Sequence, residues 1–143
     1  VQAIPAQVVD RTTGATRNLL VADDSPLQRH ALCQFLRQNG YVVAEAGDGD
    51  SVVRHLQECP VDLLLLDLNM PKGDGFDVLK YVQEHRRALP VVLLSGMQVD
   101  QIQHEMHRLR KQELPALLLK PVDPQQLLQV VEMQLGGELP GAE

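Results

Sequence analysis

Cysteine is scarce in this chain. Only Cys33 and Cys59 occur, with no C-x-x-C pair, which excludes a disulfide framework and fits a reducing compartment. No stretch approaches the ~18–20 consecutive apolar residues of a membrane span, so membrane insertion is not expected. The first residues lack the basic start and apolar core of a secretory signal. Basic residues are outnumbered: Lys+Arg total 13 against 19 Asp+Glu, a formal net charge of −6. That balance argues against direct binding of nucleic acid or of an anionic membrane. Together these absences point to a cytoplasmic location. What remains is an ordinary globular composition, 143 residues with 44% hydrophobic and 22% charged. A chain of this length buries about 68–70% of its unfolded surface, so most of it is expected to be ordered.

The ends differ from the middle. Residues 1–17 carry Ala, Gln, Thr, Gly and Pro without a sustained period and read as a linker or N-terminal extension. Residues 137–143 read as a C-terminal linker or tail. With Val at position 1, the chain reads as a piece of a longer protein. Between these ends, 18–136 alternates two patterns. Apolar strand-like runs fall at 18–22, 41–44, 61–66, 90–94 and 115–119. Helical stripes fall between and after them. The first, over 26–39, has Leu27, Ala31 and Phe35 beside Leu32 and Leu36. Ser25 caps it, Pro26 suits its first turn and Gly40 ends it. A second spans 50–58 with Val52, Val53 and Leu56, a third carries Phe76, Leu79 and Val82, and a fourth carries Ile102, Met106 and Leu109. The last opens at Asp123-Pro124 and shows Leu127, Leu128, Val131 and Leu135.

Five strands alternating with five helices predict a doubly wound α/β fold with a parallel sheet. Right-handed crossovers then place every strand C-terminus on one edge, where such folds bind ligands. Strand one ends in Asp23-Asp24, strand three in Asp67, strand four in Ser95-Gly96 and strand five in Lys120-Pro121. Strand two ends in Glu45, with no evident partner. In the order 2-1-3-4-5, strands one and three are neighbours, about 4.8 Å apart. Three carboxylates then crowd one pocket, and each raises the pKa of the others unless a cation joins them. Mg²⁺ suits one or two carboxylates plus water. A carboxylate is also a competent nucleophile toward phosphorus. A metal, the Lys120 ammonium and the Ser95 hydroxyl would together neutralise a transferring phosphoryl group.

These residues resemble the receiver domain of two-component response regulators. The likeness runs over about 18–135. It rests on Leu20-Val21-Ala22-Asp23-Asp24-Ser25, Leu64-Leu65-Leu66-Asp67-Leu68-Asn69-Met70-Pro71, Asp74-Gly75, Ser95-Gly96 and Leu119-Lys120-Pro121. The resemblance implies a flavodoxin-like fold over 18–136 and a signalling domain rather than an enzyme, one that assists its own phosphorylation and dephosphorylation. It implies Asp67 as phosphoacceptor, and Mg²⁺ held by Asp24, Asp23, Asp67 and the backbone carbonyl of Asn69. Ser95 and Lys120 would contact the phosphoryl oxygens, the Lys120-Pro121 peptide would be cis, and Asn69 and Met97 would tune the phosphoryl lifetime. A histidine kinase or histidine phosphotransfer protein would be the donor. The face of the fourth helix, fifth strand and last helix would repack on phosphorylation, and a homodimer through that face is one assembly the resemblance allows. One departure stands out: Leu117 occupies the switch position that is usually aromatic.

Each residue also has a plainer reading. Asp23 and Asp24 alone could cap the first helix, Asp67 alone could begin a turn, and Asp74-Gly75 reads as turn chemistry. His104 and His107 lie three apart but lack a third ligand, and His30, His55 and His85 show no partner. Arg108, Arg110 and Lys111 read as a solvated face, and Cys33 and Cys59 as small core or boundary residues. Two other functions compete. A binding-only receiver fits the aliphatic Leu117. An aspartate-nucleophile phosphohydrolase of the haloacid dehalogenase type would place its nucleophile after strand one and would need a cap region, which is missing.

Overall fold

A computed structural model of the chain describes residues 17–71, 74–96 and 116–136. In chain order these form β1 (Asn18–Ala22), α1 (Pro26–Gln38), β2 (Val42–Ala46), α2 (Gly49–Glu58), β3 (Leu63–Asp67), α3 (Asp74–His85), β4 (Val91–Ser95), β5 (Ala116–Leu119) and α4 (Pro124–Gln134). The strands build one parallel sheet in the order β2-β1-β3-β4-β5. Among the described residues there are four helices. The helix expected around Ile102, Met106 and Leu109 lies outside them, as do His104, His107, Arg108, Arg110 and Lys111.

The sheet is apolar on both faces because helices cover both. Alternate strand residues separate into two cores. Leu20, Ala22, Leu64, Leu66 and Leu93 meet Val52 and Leu56 of α2 and Val78, Leu79 and Val82 of α3. Leu19, Val21, Leu63, Leu65 and Leu94 meet Cys33 and Leu36 of α1 and Leu127 and Val131 of α4. All four leucines of β3 are fully buried, each stabilising the fold by roughly 1.5–3 kcal/mol. The strand carrying Asp67 is therefore firmly anchored in both cores.

The helix ends follow local chemistry. Ser25 Oγ accepts from Gln28 N at the start of α1, and Asp123 Oδ1 accepts from Gln125 N at the start of α4. Gly40 turns the chain after α1 at φ 94°, a left-handed conformation that favours glycine. Several boundaries move from the sequence expectation. β2 runs through Ala46 because its whole length pairs with β1, so Glu45 lies inside the strand and opposite Val21. β3 and β4 each extend one residue further than expected, taking in Asp67 and Ser95. Leu27 was expected to pack but is 84% exposed. It lies in the first turn of α1. Cys33 is buried, whereas Cys59 is exposed as the C-cap of α2.

Candidate acidic site at the strand C-termini

Register alone assembles the site. Ala22 pairs with Leu66, so Asp23, which follows β1, stands level with Asp67 at the end of β3. Asp67 in turn pairs with Leu94, which puts Ser95 one residue beyond it on the adjacent strand. Ser95 pairs with Leu119, and its carbonyl oxygen accepts from Lys120 N at 2.8 Å. Lys120 is thereby delivered to the same edge. The peptide from Lys120 to Pro121 is cis.

Oxygen atoms of Asp23, Asp24 and Asp67 all lie within 4.8 Å of one another. Asp23 and Asp67 are each 1% exposed, whereas Asp24 faces solvent. Asp67 Oδ1 accepts from Asn69 N at 2.8 Å, and its Oδ2 takes the Lys120 ammonium at 3.0 Å. Asp23 Oδ1 accepts from Ser25 N at 2.9 Å. Asp23 Oδ2 is buried with no hydrogen-bond partner among the described residues. Burial pushes the Asp23 carboxyl up to about 6, the negative charge of Asp67 adds to that shift, and the Ser25 N–H opposes it. An orphaned buried oxygen among three carboxylates is a donor set for a hard divalent cation such as Mg²⁺. The residues present fit that ion.

Gly75 shapes the wall behind Asp67. A Cβ built there would stand 2.8 Å from the Asp67 carbonyl oxygen and 2.8 Å from Leu68 Cα, both backbone atoms. The absence of a side chain lets α3 approach the end of β3, so Gly75, expected as turn chemistry, is a close-packing position inside the helix. Gly75→Ala is expected to destabilise the fold by about 1–3 kcal/mol in chemical denaturation, against the gain of up to ~1 kcal/mol that helix propensity alone gives.

Other expectations resolve as follows. Ser95 is fully buried at the edge. Leu117 pairs with Leu93 and packs, partly buried, on the α2/α3 side of the sheet. Met97 lies outside the described residues. Asn69 makes a contact that the sequence did not announce: its Oδ1 accepts from Gly96 N at 2.8 Å, tying the β3 and β4 loops. Glu45 is not alone, as Arg29 Nε donates to its Oε1 at 3.0 Å and Arg37 lies at 3.4 Å from Oε2. The Arg29 bond, with Arg37 adding, holds the Glu45 carboxyl below its ordinary range. Two histidines have partners after all: His30 Nδ1 is 3.7 Å from Glu45 Oε2, and His85 stacks on Tyr81. A cavity of about 250 Å³ opens beside the site, between α1 and the segment entering α4, and reaches Asp23, Lys120, Leu32, Phe35 and Pro121. No described helix is long and apolar enough to cross a membrane.

Comparison with known proteins agrees with this geometry. The response regulator receiver domain family matches residues 19–132. The transcriptional regulatory protein PdtaR of Mycobacterium tuberculosis is 34% identical over 125 residues, 87% of this chain and 59% of that protein. The phosphate regulon transcriptional regulatory protein PhoB of Escherichia coli is 36% identical over 118 residues, 80% of this chain and 49% of that protein. The chain thus spans about half the length of these curated relatives. A response regulator receiver protein from Pseudomonas putida superposes with a TM-score of 0.74 at 27% identity, over 83% of this chain and 98% of that one. A domain matched from β1 into the last helix, with its acidic residues on the expected strand ends, belongs to the response regulator receiver domain family.

Proposed function

We propose that this receiver domain accepts a phosphoryl group on Asp67 from a histidine kinase or histidine phosphotransfer protein. The observation that carries the reading is the pairing of a buried carboxylate, Asp67, with a lysine at 3.0 Å and with Asp23, whose Oδ2 has no hydrogen-bond partner among the described residues. A carboxylate oxygen of Asp67 attacks phosphorus, a P–O bond forms, and the bond from phosphorus to the donor nitrogen breaks. The Lys120 ammonium, already on Asp67 Oδ2, moves with that oxygen's lost charge onto a phosphoryl oxygen. Ser95, at the end of the adjacent strand, is the hydroxyl donor to another. Asn69 N holds Asp67 Oδ1, which fixes the rotamer of the attacking carboxylate. Asp23, Asp24, Asp67 and the Asn69 carbonyl would hold Mg²⁺. Bound there, the ion supplies positive charge to the phosphoryl oxygens.

The apolar wall of Leu32, Phe35 and Pro121 beside Lys120 supports approach of a protein donor from that side. The wider reading keeps a cytoplasmic signalling domain over 18–136 that assists its own phosphorylation and dephosphorylation and passes the signal through the face around β5, a homodimer there included. Lifetime tuning by Asn69 fits its bond to Gly96 N. A second reading, a receiver that binds its partner without phosphorylation, draws support from Leu117, an aliphatic side chain packed on the core at the position that would switch.

Incubation with acetyl phosphate followed by intact-protein mass spectrometry tests the proposal. One phosphoryl group is expected, and only when Mg²⁺ is present. A folded protein that takes up none from acetyl phosphate or from a phosphohistidine donor would favour the binding-only reading.

A further inference from the structure

We infer that Arg29 is a positioning residue for the acidic site, a strut that fixes the Asp23-Asp24 turn against β2 so that its carboxylates stand ready for a divalent cation. The inference rests on the metal reading above and adds a residue outside the ligand set. Arg29 Nη1 donates to the Asp23 carbonyl oxygen at 2.8 Å, and its Nε donates to Glu45 Oε1 at 3.0 Å. One planar guanidinium thus spans the turn that carries Asp23 and the strand two places away from Asp67 in the sheet. The side chain is only 20% exposed, and Glu45 is held from its other side by Arg37, so the anchor is itself fixed. Gly47 leaves the space: a Cβ there would stand 3.2 Å from Arg29 Nη1. On the opposite side of the turn, Asp23 N donates to the Ala46 carbonyl oxygen at 3.1 Å. Both backbone polar atoms of Asp23 are therefore tied toward β2, and with its Oδ1 held by Ser25 N the carboxylate has little freedom to swing away from Asp67. Repulsion between the two buried carboxylates favours that swing whenever no cation is bound. The strut opposes it.

Charge and position make opposite demands here, which separates them by experiment. A cation near three carboxylates competes with a metal, so if Arg29 acted only through its charge, removing it would tighten Mg²⁺ binding. As a strut, its loss loosens the carboxylates and weakens binding. Lysine keeps the charge but lacks the rigid planar fork that aims a separate nitrogen at each acceptor.

Calorimetric titration of the full chain with MgCl₂ is the test, on wild type, Arg29→Lys and Arg29→Gln. Both variants are expected to bind Mg²⁺ about 10-fold more weakly, the usual range for partners that orient metal ligands. At saturating Mg²⁺ the maximal rate of acetyl phosphate labelling should recover to within about twofold of wild type, with the half-saturating Mg²⁺ concentration raised. Loss of the maximal rate with unchanged affinity would overturn the inference, as would tighter binding by Arg29→Gln. If wild type itself takes up no Mg²⁺, the metal reading falls and the strut's assigned task falls with it. If wild type binds and the variants bind equally well, only the strut falls.

Discussion

Asp67→Asn is expected to take up no phosphoryl group from acetyl phosphate under conditions that label the wild type, while keeping its fold. An amide oxygen is a poor nucleophile, and Asp67 is the only carboxylate of the cluster that ends a central strand and meets Lys120. The substitution is nearly isosteric, and the amide oxygen can still accept from Asn69 N. Circular dichroism should therefore overlay. A labelled variant, with an acid-stable and base-labile bond at another aspartate, would refute the assignment. The stability change at this position has two opposed parts. Repulsion of Asp23 is relieved, but a lysine only 21% exposed loses its carboxylate, and a buried charge left without its partner is costly. The cleaner test of the cost of a charged carboxylate buried beside Asp67 therefore lies at Asp23.

Asp23→Asn is expected to stabilise the metal-free protein near neutral pH and to leave it unchanged in acid. The folded Asp23 carboxyl titrates at about 6 rather than 3.8, so between those values the folded chain holds a proton that the unfolded chain has released. Stability then falls as pH rises through that window and stays reduced above it. At about 1.4 kcal/mol per pKa unit, the loss is on the order of 2–3 kcal/mol. Asparagine imitates the protonated acid: it keeps the oxygen that accepts from Ser25 N and places an N–H where Oδ2 lacks a partner among the described residues. Urea denaturation at pH about 4 and about 7, without Mg²⁺, reads the difference directly. Glu45 and Asp48, whose carboxyls are held below their ordinary range, contribute stability that grows with pH. They do so in both proteins and cancel in the comparison. At neutral pH, saturating Mg²⁺ should raise wild-type stability more than that of the variant. Equal stability at both pH values would mean that burial and the charge of Asp67 do not raise the Asp23 carboxyl.

Much of this site was legible because parallel strands read as apolar runs with their chemistry at the ends. Leu63 to Leu66 stops at Asp67, and Leu19 to Ala22 stops at Asp23. Strand order then needed no side-chain detail to bring the two together. Several contacts that escaped the sequence join groups whose relative height depends on register. Glu45 looked terminal and unpaired because the end of β2 was placed two residues early. Once it pairs with Val21, it falls within reach of Arg29 and Arg37 on α1. The Asn69 bond to Gly96 crosses 27 residues of sequence, with no local pattern to mark it. Leu27 fitted the helical stripe but lies exposed in the first turn of α1, and periodicity does not say which turn of a helix is covered. Gly75 looked like a turn because the cost of a Cβ arises from the backbone of another strand end.

The separation of the sheet's two edges sets where this protein can change. Every group proposed to act on phosphorus hangs from a strand C-terminus, at a height fixed by ladder pairing. A slip of one residue would move a carboxylate by about 3.3 Å and turn its strand inside out. Among the described residues, the opposite edge carries short joins, residues 39–41, 59–62 and 86–90, between a helix end and the next strand. Those joins hold no part of the acidic site, and lengthening such a loop costs little closure entropy. Insertions, tags and fused segments therefore have a permissive pole and a forbidden one on the same molecule, and lineage variation in length should collect at the first.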